Sequence, residues 1–77
     1  MRLVDAVYAR IVDLAKERQI SMNALANICG VPRSTIVTMT RSTTVKLSTI
    51  YGICAGLNIS LQDFFNSPRF DKDKITD

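Results

Sequence analysis

Apolar residues recur at intervals of three and four along most of the chain, which is the spacing of one face of an α-helix. The pattern predicts helices over about 2–18, 22–29, 32–41 and 47–57, and a last short helix that ends at Phe65. No stretch alternates apolar and polar residues in the way that predicts a strand. We therefore expect an all-α protein, a compact bundle of five short helices packed around one core.

Residues that start and stop helices stand at the boundaries of this pattern. Ser21 is a suitable N-cap for the second helix, and residues 60–63 (SLQD) form a capping-box sequence with Asp in place of Glu. Gly30 and Asn58 are suited to the positive φ that follows many helix ends. Pro32 fits the first turn of the third helix, where its missing N–H does no harm.

The apolar stripes define an expected core with contributions from the first four helices. Ala26 is small at a point where the second and third helices must approach closely. The residues expected to face inward are Leu3, Val7, Ile11, Leu14, Leu25, Ala26, Ile28, Cys29, Val31, Ile36, Met39, Leu47, Ile50, Ile53, Cys54 and Leu57.

A chain of 77 residues has room for a single core. We expect one domain over residues 1–66 and a loosely held tail over 67–77, which has little left to bury. The two cysteines lie far apart within apolar helical patterns, which is typical of reduced thiols in or near a core. The chain has no histidine and no pair of cysteines at metal-binding spacing, so we expect no metal and no cofactor.

The length of the apolar segments and the charges near the N-terminus indicate where in the cell the protein is located. The longest uncharged stretch, Leu47 to Gln62, is shorter than the roughly 20 residues that span a bilayer. Arg2, Asp5 and Arg10 interrupt the N-terminal segment, which is unlike the apolar centre of a signal peptide. We therefore expect a cytoplasmic protein without a membrane partner.

Charge is distributed unevenly along the chain. The net charge is only +3, but no acidic residue lies between Glu17 and Asp63, an interval that also contains many serines and threonines. A positive, hydroxyl-rich surface suits a polyanionic partner. An ordinary solvated basic face is the commoner origin of such a charge pattern, so charge does not decide the function.

The outer face of the third helix is the most informative feature. Arg33, Ser34, Val37, Thr38 and Arg41 share the side opposite Ile36 and Met39. Arginine can donate to guanine O6 and N7, hydroxyls can reach several base edges, and valine can contact a thymine methyl. The pattern therefore fits the major groove of DNA, and equally an ordinary solvated helix face.

Two longer runs resolve this ambiguity by resemblance. SMNALANICGVPRSTIVTM, followed by LSTIYGICAGLNISLQDFF, resembles the Cro/phage-repressor-type helix-turn-helix family, also called the XRE family. The resemblance extends over about residues 10–65. It implies a five-helix bundle of the lambda-repressor-like type, which binds double-stranded DNA with its third helix in the major groove.

The resemblance also implies roles for individual residues. Arg33, Ser34 and Thr38 fall on base-contacting positions, with Val37 beside them. The positions that contact phosphate are the backbone of Met22, and Arg41, Thr43, Thr44 and Lys46.

Three departures from the family pattern concern the scaffold and the phosphate contacts. Met22 stands where members commonly have a glutamine that contacts the DNA backbone, so only its N–H remains available for phosphate. Ala15 and Thr40 stand where an arginine and a glutamate often pair, and the loss of both leaves no uncompensated charge. The loop before Leu47 is short and lacks the frequent proline.

We expect a sequence-specific DNA-binding transcription regulator, a repressor that acts as a homodimer. The candidates for the dimer contact are Phe64, Phe65 and Phe70. The alternative is an antitoxin or a helical module that keeps the fold but binds a protein partner. Catalysis is not expected, because no histidine, visible carboxylate pair or activated cysteine is present.

Overall fold

The computed structural model describes all 77 residues, which form five α-helices and no strand. The all-α class is therefore confirmed, and none of the helices is both long and apolar enough to cross a bilayer. Short 3₁₀ turns at Met39–Arg41 and Pro68–Phe70 follow the third and fifth helices. The α-helices are α1 (Leu3–Glu17), α2 (Met22–Cys29), α3 (Arg33–Thr38), α4 (Leu47–Leu57) and α5 (Leu61–Phe65).

The third helix is shorter than the sequence predicts. Pro32 is its N-cap residue, with φ −56° and ψ 135°, rather than its first helical residue. The α-helix ends at Thr38, and the chain continues as the 3₁₀ turn. Met39, the first residue of that turn, lies three residues after Ile36 and is buried with it in the core.

Three helices end in the same way, with one residue in the left-handed region followed by an apolar residue whose N–H donates to the carbonyl five positions earlier. The sequence predicts two of these left-handed residues, Gly30 and Asn58, but not Gln19, which has φ 56°. The apolar residue packs against the core in each case. The closing hydrogen bonds are Ile20 to Ala15 at 3.0 Å, Val31 to Ala26 at 3.1 Å and Ile59 to Cys54 at 2.9 Å.

Most of the expected core is buried in one cluster, which also contains the fully buried Phe64. Both cysteines are free thiols; Cys54 is buried and Cys29 is half-buried. The residues of the expected core that are buried are Val7, Ile11, Leu14, Leu25, Ala26, Ile36, Met39, Ile50, Ile53, Cys54 and Leu57.

Three residues of the expected core are instead exposed. Ile28 is 54% exposed because it lies about a third of a turn from the stripe formed by Leu25 and Ala26. Leu3 and Leu47 are 46% and 60% exposed, since each is the first residue of its helix at an edge that no other element covers.

Three arginines connect α1 to α5, to α4 and to the 3₁₀ turn after α3: Arg10 lies within α1, and Arg2 and Arg18 flank its two ends. The last carbonyls of a helix have no partner within it, and a cation there also compensates the negative end of the helix dipole. Arg10 donates from Nε to Phe64 O at 2.7 Å, Arg18 donates from Nη2 to Leu57 O at 2.6 Å, and Arg2 donates to Thr40 O.

The last ten residues lie along α1. Phe70 packs against the core, so it is an exception to the expectation that this segment buries little. Arg69 donates from Nε and Nη2 to the carboxylate of Asp13, the second bond at 3.0 Å. The N–H of Thr76 donates to Met1 O at 3.0 Å. That residues 67–77 are loosely held in solution stays a prediction.

Candidate nucleic-acid interface

A tight connection between α2 and α3 positions the outer face of α3. Ser21 caps α2 by accepting a hydrogen bond from the N–H of Ala24 at 3.0 Å. Gly30 ends α2 in the left-handed conformation, with φ 65°, and Pro32 then sets the direction of α3. Ile36 is the one residue of α3 that is fully buried, so the opposite side of this short helix faces solvent.

The four predicted base-contacting residues lie together on this solvent-facing side. Arg33, Ser34, Val37 and Thr38 are all exposed, and Val37 is 42% exposed despite its apolar side chain. The Oγ1 of Thr38 donates to the carbonyl of Ser34 at 2.7 Å. The hydroxyl proton of Thr38 is therefore directed into the helix, and its lone pairs are left to accept from a base.

Arg33 has a neighbour that sequence reasoning missed. Its Nη1 donates to Oδ1 of Asn23, the second residue of α2, at 2.9 Å. Asn23 is a polar residue on an exposed helix face, and no local signal distinguishes it from any other. The contact depends on the way in which α2 and α3 are packed.

The start of α2 leaves backbone donors free. Leu25 and Ala24 donate to Ser21, while the N–H groups of Met22 and Asn23 have no acceptor within the protein. The side chain of Met22 packs against the core instead of extending toward solvent. Only its N–H is thus available to an anion, as expected from the missing glutamine.

Two of the predicted phosphate-contacting residues lie at a hollow between α3 and the start of α4. The hollow has a volume of about 450 Å³, and Thr44 and Lys46 line it beside Thr38. Its further hydroxyls, from Thr35, Ser42 and Thr49, were not predicted. Of the two remaining predicted side chains, Arg41 is exposed at the end of the 3₁₀ turn, and Thr43 lines a neighbouring apolar groove that Thr44 also borders.

The cations of this surface have no acidic partners. Arg33, Arg41 and Lys46 are exposed and take part in none of the three salt bridges, in which Arg2, Arg10 and Arg69 are the basic members. Arg18, although it belongs to the acid-free interval, is directed toward α4. The positive charge that remains unneutralised in this interval therefore surrounds α3 and the start of α4.

In this helix-turn-helix, the second helix is α3, whose exposed side carries mostly short side chains and has unpaired cations beside it. This combination is typical of a DNA-binding domain. The family model of the Cro/C1-type HTH DNA-binding domain matches residues 10–68. The chain belongs to this family. It is a DNA-binding regulator of the helix-turn-helix type rather than an enzyme.

Comparison with solved structures gives the same fold. The crystal structure of the prophage Lp1 protein 11 superposes with a TM-score of 0.78 and 28% sequence identity. The match covers 92% of this chain and 99% of that one. Comparison with curated proteins gives no match.

Proposed function

We propose that the protein is a sequence-specific regulator of transcription that acts in the cytoplasm as a repressor homodimer, with α3 in the major groove of double-stranded DNA. One observation carries the proposal: the exposed side of α3 presents short hydrogen-bonding and apolar side chains. Such side chains allow the helix axis to approach base edges closely. The repressor role itself rests on membership of the Cro/C1-type family.

The four residues on this face would each contact base edges in a different way. Arg33 is suited to guanine, whose O6 and N7 accept two parallel hydrogen bonds. Ser34 and Thr38 can hydrogen-bond to base edges, and the back-bonded proton of Thr38 favours a base that donates, such as adenine through N6 or cytosine through N4. Val37 offers methyl groups to a thymine.

Phosphate contacts would hold the domain in register on either side of α3. The free N–H of Met22 suits one phosphate, and Lys46 with Thr44 in the hollow suits another. Arg41 and Thr43 are assigned to phosphate by the family pattern. Arg41 is exposed and without an acidic partner, which supports its assignment, whereas Thr43 on the groove side has the least support.

A homodimer would bring two copies of α3 onto one face of the duplex, about one helical turn apart. Among the three candidate phenylalanines, Phe64 is fully buried and Phe70 packs on the core, so Phe65 is the one left for a dimer contact. Phe65 lines an apolar groove of about 360 Å³ with Leu3 and Leu47. Exposed apolar surface of this kind is typical of a protein contact.

The same groove is the observation that favours the alternative function. An antitoxin or a protein-binding module would use it for a different protein, with or without DNA binding. Such a partner would occupy the groove in place of a second copy.

Selection of bound sequences from a random duplex pool tests the proposal. A sequence-specific dimer should enrich two half-sites related by twofold symmetry, and sedimentation of the protein with the selected duplex should show two copies. Affinity for random duplex should also fall steeply between roughly 50 and 200 mM salt. The absence of binding to any duplex at low salt would contradict the proposal and favour the protein-binding alternative.

A further inference from the structure

We infer that Asn23 is a positioning residue for base recognition: it holds the guanidinium of Arg33 in the orientation that reads one base pair. The inference rests on the proposed function, because it assumes that Arg33 reads a base. It assigns a part of the selectivity to a side chain of α2 that lies outside the predicted contact set.

The geometry of the pair carries the inference. Nη1 of Arg33 donates to Oδ1 of Asn23 at 2.9 Å, and both side chains are exposed at the solvent side of the α2–α3 unit. Arg33 is the first residue of α3, so no earlier turn of its own helix supports its long side chain. Asn23 supplies that support across the turn.

The hydrogen bond leaves the reading edge of the guanidinium free. An arginine has five N–H donors in a rigid plane, and Asn23 accepts from Nη1 alone. Nε and Nη2 therefore remain for the two parallel hydrogen bonds that guanine O6 and N7 accept. Because the plane is oriented before binding, less side-chain freedom is lost when the base is engaged.

The charge and neighbours of Asn23 are consistent with this role. Arg33 forms no salt bridge, so Asn23 is its one side-chain partner in the protein. A neutral amide orients the cation without neutralising it, whereas a carboxylate would reduce its attraction to DNA. The next residue on the same helix face, Asn27, is also exposed, and its side chain makes no hydrogen bond.

The test compares Asn23→Ala with the matched control Asn27→Ala. The probes are the duplex that the wild-type protein selects from a random pool, the single-base variants of that duplex, and a random duplex. Asn23→Ala should lower discrimination by about threefold to tenfold at one base pair, the one that Arg33→Ala also affects. Binding to random duplex and the melting temperature should stay unchanged, and Asn27→Ala should leave all of these values unchanged.

Two further variants separate positioning from direct contact. In an Arg33→Ala background, Asn23→Ala should have no additional effect on discrimination, because its target is gone. Asn23→Asp keeps an acceptor oxygen, so it should retain discrimination while weakening binding to every duplex through its added negative charge.

Other outcomes would overturn the inference. Equal weakening of all sequences by Asn23→Ala would show a direct phosphate contact, and unchanged or improved discrimination would show that the pair does not orient Arg33 for reading. Failure of the wild-type protein to bind any duplex would overturn the proposed function and the inference with it. That result is distinguishable because it appears before any substitution is made.

Discussion

Gly56 of α4 lies directly against the backbone of Cys29 at the end of α2. A Cβ placed on Gly56 would lie 2.5 Å from Cys29 Cα and 2.8 Å from its Sγ, both closer than carbon and sulfur atoms can approach. The thiol of Cys29 donates to Ile53 O at 3.5 Å along the same contact. This approach fixes α2 against α4, and α2 in turn supports the α3 face proposed to read DNA.

Gly56→Ala should therefore destabilise the fold. The added methyl would force α2 away from α4, at a cost of about 1–3 kcal/mol in the free energy of unfolding. Gly52→Ala is a matched control one turn earlier in α4, because its Cβ would meet Val31 Cγ2 at an ordinary 3.6 Å. That control should gain about 0.5–1 kcal/mol from helix propensity. Denaturant unfolding of both variants checks the prediction, and an unfolding midpoint for Gly56→Ala at or above wild type would contradict it.

Gln19→Gly should stabilise the protein. Gln19 has φ 56° at the end of α1, a conformation that glycine adopts without strain, and we expect a gain of about 0.5–1 kcal/mol. The converse change, Gly30→Ala, introduces the same strain at the end of α2 with no steric clash and should lose about 1 kcal/mol. Thermal melts of both variants check these predictions. A loss of stability in Gln19→Gly would show that the side chain of Gln19 makes stabilising contacts that outweigh the strain of its positive φ.

The Asp13–Arg69 pair should make stability depend on pH at the acidic end. The hydrogen bond from Arg69 holds the pKa of the Asp13 carboxyl below its usual 3.8, against the opposing effect of partial burial. A lowered pKa in the folded state stabilises the protein above about pH 4, and this contribution is lost as the pH falls through the folded pKa.

Melting temperatures of wild type and Arg69→Gln across pH 2–7 measure this contribution. At neutral pH the wild-type protein should melt at a higher temperature than Arg69→Gln. The difference between the two melting temperatures should shrink below about pH 4 as Asp13 becomes protonated. A difference that stayed constant to the lowest pH would mean that Arg69 stabilises the tail by packing rather than by its charge.

Both cysteine thiols should react slowly in the folded protein. Burial raises the pKa of Cys29 and of Cys54, so little reactive thiolate is present near neutral pH. Cys54 should react more slowly than Cys29, since it is buried while Cys29 is half-buried. Alkylation followed by mass spectrometry, with and without urea, gives the two rates. If the two thiols were alkylated as fast in the native protein as in the unfolded protein, their burial would be contradicted.

Lys46→Ala and Arg33→Ala should affect DNA binding in different ways. Loss of Lys46 should weaken binding to all duplexes alike and reduce the salt slope of affinity by about one. Loss of Arg33 should cost about 1–3 kcal/mol of discrimination at one base pair. Lys72→Ala removes the same charge from the tail segment on α1 and should leave affinity unchanged. Binding titrations at several salt concentrations measure all three, and a sequence-selective loss in Lys46→Ala would overturn its assignment to phosphate.

Local signals were sufficient for much of the scaffold. The capping box of Ser60 and Asp63 and the left-handed Gly30 and Asn58 all form as predicted, because each depends on residues within one turn. Gln19 was missed since glutamine carries no preference for positive φ. It takes that conformation because Ile20, the next residue, packs against the core.

Contacts between helices could not be predicted in this way. The bond from Asn23 to Arg33 and the approach of Gly56 to Cys29 both depend on the relative positions of two helices. Apolar periodicity also placed Ile28 inside, because the pattern shows that a residue is apolar but not whether another element lies opposite it. The exposed face of α3 could be predicted, since Ile36 and Met39 mark the inner side of the helix and the polar residues between and before them fall on the other side.

Arg10 of α1 and Arg18, just after it, make the stability of the fold less sensitive to salt than the binding of DNA. Arg10 and Arg18 donate to uncharged carbonyl oxygens at 2.6–2.9 Å, and such bonds depend on ionic strength much less than the attraction of exposed cations to phosphates. Rising salt would thus release the protein from DNA while the domain stays folded.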